Sequence, residues 1–125
     1  MKRILVIDDE EQVRSMLRMT LEDAGYEVVD APDGDIGIRL FREKPADIII
    51  TDILMPEKEG IEMILELRKD FPGVKIIAIS GGGRFRSPNT FLTMAEHFGA
   101  ARTFSKPIRQ RELLSAVQEL IEGPE

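Results

Sequence analysis

The feature that most constrains this chain is an alternation of two patterns. Short runs rich in Ile and Val recur at Ile4 to Ile7, Tyr26 to Val29, Ile48 to Ile50 and Val74 to Ile79, with a weaker run at Ala101 to Ser105. They are apolar at successive positions rather than at every second one, as strands buried on both faces require. The spans between them carry helical spacing. Val13, Leu17, Leu21 and Ala24 share one face, with Met16 and Thr20 beside them, and Gly25 follows where a helix should stop. Ile61, Ile64, Leu65 and Arg68 mark another helix, closed by Pro72 and Gly73. Leu113, Leu114, Val117, Leu120 and Ile121 mark the last one, and a further helix is expected from Thr90. The segment from Gly34 to Glu43 has a buried face at Ile38 and Phe41. It also carries Gly37 in its interior, where Gly costs about 1 kcal/mol relative to Ala. Strands alternating with helices predict an α/β domain, a doubly wound parallel five-stranded sheet with helices on both faces.

The totals agree with a single such unit. A length of 125 residues suits one domain with one core, and a hydrophobic share of 42% is too high for a disordered chain. No apolar run approaches the roughly 20 residues that span a bilayer, so no membrane partner is expected. Met1-Lys2-Arg3 and the short run after it lack the length and the cleavage site of a signal peptide. The sequence has no cysteine, which removes disulfides and thiolate metal sites and is compatible with a cytoplasmic location. A net charge of −6 argues against direct nucleic-acid binding, which needs clustered Lys and Arg. Arg84 and Arg86 read as a solvated loop. The expected organisation is one domain over residues 2–121 and a short tail at 122–125.

In doubly wound sheets, functional groups gather at the carboxyl ends of the strands. The first strand runs directly into Asp8, Asp9 and Glu10. The third ends at Asp52, the fourth at Ser80, and the fifth runs into Lys106-Pro107. If strand one lies between two and three, with four and five beyond three, these groups meet on one rim. Adjacent carboxylates repel and lose hydration when enclosed, so they need a cation. Only oxygen ligands are on offer, and a small, partly hydrated set favours Mg²⁺ over a calcium cage. Asp8 and Asp9 would hold the metal. Asp52 would be a third ligand and a nucleophile able to form an acyl phosphate. Lys106 would neutralise phosphoryl oxygens, and Ser80 would donate a hydrogen bond to one of them.

These residues carry a resemblance. Val6-Ile7-Asp8-Asp9-Glu10, Asp52-Ile53-Leu54-Met55-Pro56 with Gly60, Ile79-Ser80-Gly81, Gly99-Ala100 and Lys106-Pro107 occur in order at strand ends. Over roughly Lys2 to Ile121 the chain resembles a response-regulator receiver domain of two-component signalling. The resemblance implies strand order 2-1-3-4-5, with Asp52 as phosphoacceptor, Asp9 as a direct Mg²⁺ ligand and Asp8 as one acting largely through water. It also implies Leu54 as a carbonyl metal ligand, Ser80 as the switch hydroxyl, Lys106 as the phosphate-binding lysine and a cis Lys106-Pro107 bond. The implied partners are a sensor histidine kinase as phosphoryl donor and a downstream protein target or a missing effector domain. Such a chain would be a monomer or a weak phosphorylation-dependent dimer. It would not be a metabolic enzyme, catalysing only its own phosphorylation and dephosphorylation.

Plainer readings exist for each residue. Asp8 or Asp9 could simply cap a helix, Asp52 could serve the turn before Pro56, Lys106 could be a surface lysine and Ser80 a loop residue. Their joint placement at strand ends outweighs these. Glu10 is read as belonging to the first helical turn, and His97 to a helix end. Gly81-Gly82-Gly83 lacks the ending of a nucleotide P-loop. Other functions compete as well: a Mg²⁺-dependent aspartyl phosphatase, a flavin carrier of similar fold, and a receiver-like scaffold that is never phosphorylated. The phosphatases place their nucleophile after strand one as Asp-x-Asp, whereas this chain has Asp8-Asp9. A lone Tyr and no Trp give a flavin little to stack on.

The chain also departs from the family it resembles. Thr103 stands where an aromatic switch residue is usual, and Phe104 falls on the opposite face of the strand. The Gly-rich segment after Ser80 is longer than usual. It is therefore expected, rather than a swinging ring, to be what phosphorylation orders. Two residues past Asp52 and Ser80 stand Leu54 and Gly82, positions that influence hydrolysis in the family. Neither offers a side chain that orients water, so slow dephosphorylation is expected.

Overall fold

The computed structural model describes residues 2–53, 60–80 and 99–122. The elements are β1 (Arg3–Ile7), α1 (Glu11–Asp23), β2 (Glu27–Ala31), α2 (Gly34–Glu43), β3 (Ile48–Asp52), α3 (Gly60–Asp70), β4 (Lys75–Ser80), β5 (Arg102–Ser105) and α4 (Gln110–Glu122). The strands form one parallel sheet in the order β2-β1-β3-β4-β5. Leu54, the loop after Ser80, the helix expected from Thr90, His97 and the last residues of the tail lie outside the described residues. No helix among the described residues is long and apolar enough to cross a membrane.

The unbroken apolar runs divide between two cores by the period-two geometry of a strand. Leu5, Ile7, Ile49, Ile76 and Ala78 face α2 and α3, where they meet Ile38, Phe41, Met63, Ile64 and Leu67. Ile4, Val6, Ile48, Ile50, Ile77 and Ile79 face the other way and pack on Leu17 and Leu21 of α1 and Leu113, Ala116 and Val117 of α4. Burying each of the larger side chains contributes about 2 kcal/mol. The sheet is therefore fixed from both sides, and so are the points where its strands emerge.

Helix ends follow local chemistry. Gly25 takes a positive φ of 98° just after α1. The Asp33 side chain accepts a hydrogen bond from the Ile36 N–H at 2.9 Å and so caps α2. The glycine inside that helix also has a reason. A Cβ at Gly37 would lie 2.4 Å from Cδ1 and 2.8 Å from Cγ1 of Ile7. The missing side chain lets α2 press directly on β1.

Some sequence expectations shift. β2 ends at Ala31, two residues beyond the expected limit. On α3 the buried stripe runs through Met63, Ile64 and Leu67, whereas Leu65 is 45% exposed. One residue advances a helix by about 100°, enough to carry Leu65 past the edge of the stripe. Ala24 is exposed because it lies past the last turn of α1. Met63 fills the core, whereas Met19 is 65% exposed.

Candidate functional site

Parallel register brings the acids together. Ile7 lies opposite Thr51, so Asp8 and Asp52 emerge side by side from β1 and β3. Both residues are buried. Asp52 lies opposite Ile79 on β4, which places Ser80, also buried, one residue further along the neighbouring strand. The Ser80 carbonyl accepts a hydrogen bond from the Lys106 N–H at 2.9 Å. This bond holds the start of the β5–α4 connection against the rim, and the Lys106-Pro107 peptide that follows is cis. The expected convergence of Asp8, Asp52, Ser80 and Lys106 at the strand ends is thus what the fold produces.

Lys106 is the hub. Its Nζ donates to Asp52 Oδ2 at 2.8 Å and to Glu10 Oε1 at 2.7 Å, and lies 3.1 Å from Asp8 Oδ2. Burial works against the charged ammonium, but the hydrogen bonds to Asp52 and Glu10 and the charges of Asp52 and Asp8 outweigh it. They hold its pKa well above the ordinary lysine range. Asp8 shows the opposite strain. Burial raises its carboxyl above the usual range, and the Asp52 charge adds to the rise. The Glu10 N–H, bonded to Asp8 Oδ1 at 2.8 Å, and Lys106 only partly counter it. The second oxygen, Oδ2, is buried with no hydrogen bond of good geometry despite its closeness to Lys106. Arg14 of α1 braces the same turn, donating to the Asp8 carbonyl at 2.9 Å and to the Asp30 carboxylate at 3.2 Å.

Glu10 belongs to this cluster, contrary to its reading as helix-start chemistry alone. It does occupy the N-cap of α1, yet its side chain caps nothing and turns to Lys106. The chain bends at Asp9, and the Glu10 N–H closes this turn onto the Asp8 side chain. The turn brings the Asp8 and Glu10 carboxylates to one side, where both meet Lys106. Oxygens of Asp8, Glu10 and Asp52 all lie within 4.8 Å of one another. Asp9 is exposed beside this set and is not part of it. Leu54 lies outside the described residues.

The donor set suits a hard divalent cation. It consists of carboxylate oxygens only, crowded closely enough to repel, with one buried oxygen lacking a hydrogen-bond partner. At β5, Thr103 lies opposite Ala78 and Phe104 opposite Ile79. Phe104 packs on the α1 and α4 side, as strand parity predicts.

Comparison with known proteins agrees with this geometry. The family model for the response regulator receiver domain matches residues 4–118. The chain belongs to that family and is a receiver domain of the two-component response-regulator type. It is 33% identical over 120 residues to the chemotaxis protein CheY of Thermotoga maritima, covering 95% of this chain and 97% of the relative. It is 28% identical over 124 residues to the alkaline phosphatase synthesis transcriptional regulatory protein PhoP of Bacillus subtilis, covering 99% of this chain but 50% of the relative. The chain thus spans about half the length of several curated relatives. Among solved structures, the response regulator TrrA of Thermotoga maritima, in complex with Mg(2+)-BeF, aligns with a TM-score of 0.83 at 33% identity. That alignment covers 96% of this chain and 99% of the other. Receiver domains are generally signalling modules rather than metabolic enzymes.

Proposed function

We propose that this chain is a Mg²⁺-dependent phosphorelay receiver that accepts a phosphoryl group from a sensor histidine kinase on Asp52. The observation that carries this reading is the pairing of a buried carboxylate, Asp52, with the Lys106 ammonium at 2.8 Å and a second buried acid alongside. An Asp52 oxygen attacks phosphorus, and the P–N bond to the donor imidazole breaks with its electron pair leaving on nitrogen. Lys106 neutralises the phosphoryl oxygens, and the Ser80 hydroxyl hydrogen-bonds one of them. As the family implies, Asp8, Asp9, Asp52 and the Leu54 carbonyl would hold Mg²⁺, Asp9 by turning in from the exposed position it has beside the cluster, and the ion would supply charge neutralisation at the transferring group.

Phosphorylation adds charge and acceptor oxygens and biases a two-state surface. The surface implied by the family comprises the segment from Thr90, β5 and α4, read by a partner protein or an effector domain. With Thr103 in the usual aromatic position, the segment Gly81 to Ser87 carries the change. Amide shifts of that segment, with and without Mg²⁺ and a phosphoryl mimic, test this, and an unchanged segment refutes it. The unit is residues 2–121, cytoplasmic, a monomer or a weak phosphorylation-dependent dimer. The decisive measurement is intact mass after incubation with Mg²⁺ and a small phosphoryl donor. The expected result is a gain of one phosphoryl group that vanishes in Asp52→Ala. No gain under any condition would favour a scaffold that is never phosphorylated.

A further inference from the structure

We propose that Glu10 is a positioning residue that parks the Lys106 ammonium at the mouth of the site and slows reaction with anionic donors. The inference rests on Asp52 being the phosphoacceptor. An ammonium has three N–H donors. Those of Lys106 face three carboxylates, with Nζ at 2.7 Å from Glu10, 2.8 Å from Asp52 and 3.1 Å from Asp8. A phosphoryl group needs the same ammonium, so one carboxylate has to yield. Asp8 and Asp52 sit on short side chains at buried strand ends, 0% and 5% exposed. Glu10 has a longer side chain that is 61% exposed and has no capping duty. It is the partner that can exchange. Until it does, it withholds Lys106. Afterwards its charge still stands beside the entrance and opposes the donor in proportion to the donor's own charge.

Two small donors separate these effects. Acetyl phosphate is a dianion near neutral pH. An Asp52 oxygen bonds to its phosphorus, the P–O bond to the acetyl group breaks, and acetate leaves with the electron pair. Phosphoramidate is a monoanion with a protonated nitrogen. Its P–N bond breaks and ammonia leaves with the electron pair, keeping the protons it already carries. Rates are read by intact mass at saturating Mg²⁺ for wild type, Glu10→Gln, Glu10→Asp and Asp52→Ala, and Mg²⁺ affinity by calorimetry.

Glu10→Gln is expected to speed acetyl phosphate about five- to tenfold and phosphoramidate only about two- to threefold, by Coulomb's law at this range in a hydrated site. Glu10→Asp keeps the charge and should keep the wild-type ratio between donors. Mg²⁺ affinity should fall by no more than about five- to tenfold, the effect the same Coulomb law gives a dication near a removed charge. Equal or slower rates with both donors would overturn the inference, as would a loss of Mg²⁺ affinity of more than about a hundredfold, beyond what the loss of a group near the metal costs. Wild type that takes up phosphoryl while Glu10→Gln reacts no differently sinks the role of Glu10 alone. Wild type that takes up none sinks the phosphoacceptor reading and this inference together.

Discussion

Asp8 and Lys106 occupy opposite sides of one electrostatic balance. An acid whose carboxyl is pushed up by folding destabilises the fold while it is ionised, and Asp8 is such an acid. Asp8→Asn removes that charge without changing the shape of the side chain. In Mg²⁺-free buffer it is expected to raise Tm by roughly 2–6 °C, the response of a domain this size to a relief of order 1 kcal/mol. It should also abolish most of the stabilisation that Mg²⁺ gives the wild type. A thermal scan with and without Mg²⁺ checks both, and a lower Tm for the apo variant would refute the first. Lys106→Ala acts in reverse, because it leaves two buried carboxylates without the ammonium they share. The expected loss is about 3 kcal/mol by urea unfolding, near the lower end for a broken buried pair, with partial recovery in Mg²⁺. At this scale the sequence showed Asp8, Asp52, Ser80 and Lys106 because each directly follows or ends a strand. It hid Glu10 because the bend at Asp9, which no apolar period announces, turns that side chain back toward Lys106.

The helices owe their positions to what they press on. Gly37 is unfavourable for α2 by propensity, yet it is the contact point with β1. Gly37→Ala gains helix propensity of about 1 kcal/mol. Against this, the new methyl overlaps Ile7, which is fully buried and cannot retreat freely. Overpacking of that kind costs about 1–3 kcal/mol, so a net loss of about 1 kcal/mol is expected. Ile7→Val removes Cδ1, the closest atom, and should suppress the loss when combined with Gly37→Ala. A double-mutant cycle by denaturant unfolding would show this as coupling of at least about 0.5 kcal/mol, and simple additivity would refute the contact as its cause. Element order and type were legible throughout because the apolar runs are strong. The face of α3 was not, because Met63, Ile64 and Leu65 are all apolar and neighbours in sequence. Only the packed sheet decides which of them points inward, and it selects Met63 and Ile64.

At the scale of the whole molecule, the sheet clamped between two helix layers acts as a rigid frame that presents its strand ends to solvent. What such a frame can report depends on how long the acyl phosphate lasts. Hydrolysis requires a water held in line with the phosphorus, and a polar side chain near the acceptor is what holds it. Leu54, two residues past Asp52, has no hydrogen-bonding atom in its side chain, and Gly82, two past Ser80, has no side chain at all. The phosphorylated state is therefore expected to persist for minutes or longer, on the order of a barrier at or above 20 kcal/mol. Leu54→Asn supplies a donor and an acceptor at the same reach. It is expected to shorten the lifetime about tenfold, equivalent to about 1.4 kcal/mol of barrier. The measurement is the decay of the phosphorylated mass in Mg²⁺ after the donor is removed. A wild-type half-life of only seconds would mean that water is positioned by some other group. An unchanged decay in Leu54→Asn would mean that this position does not face the attacking water.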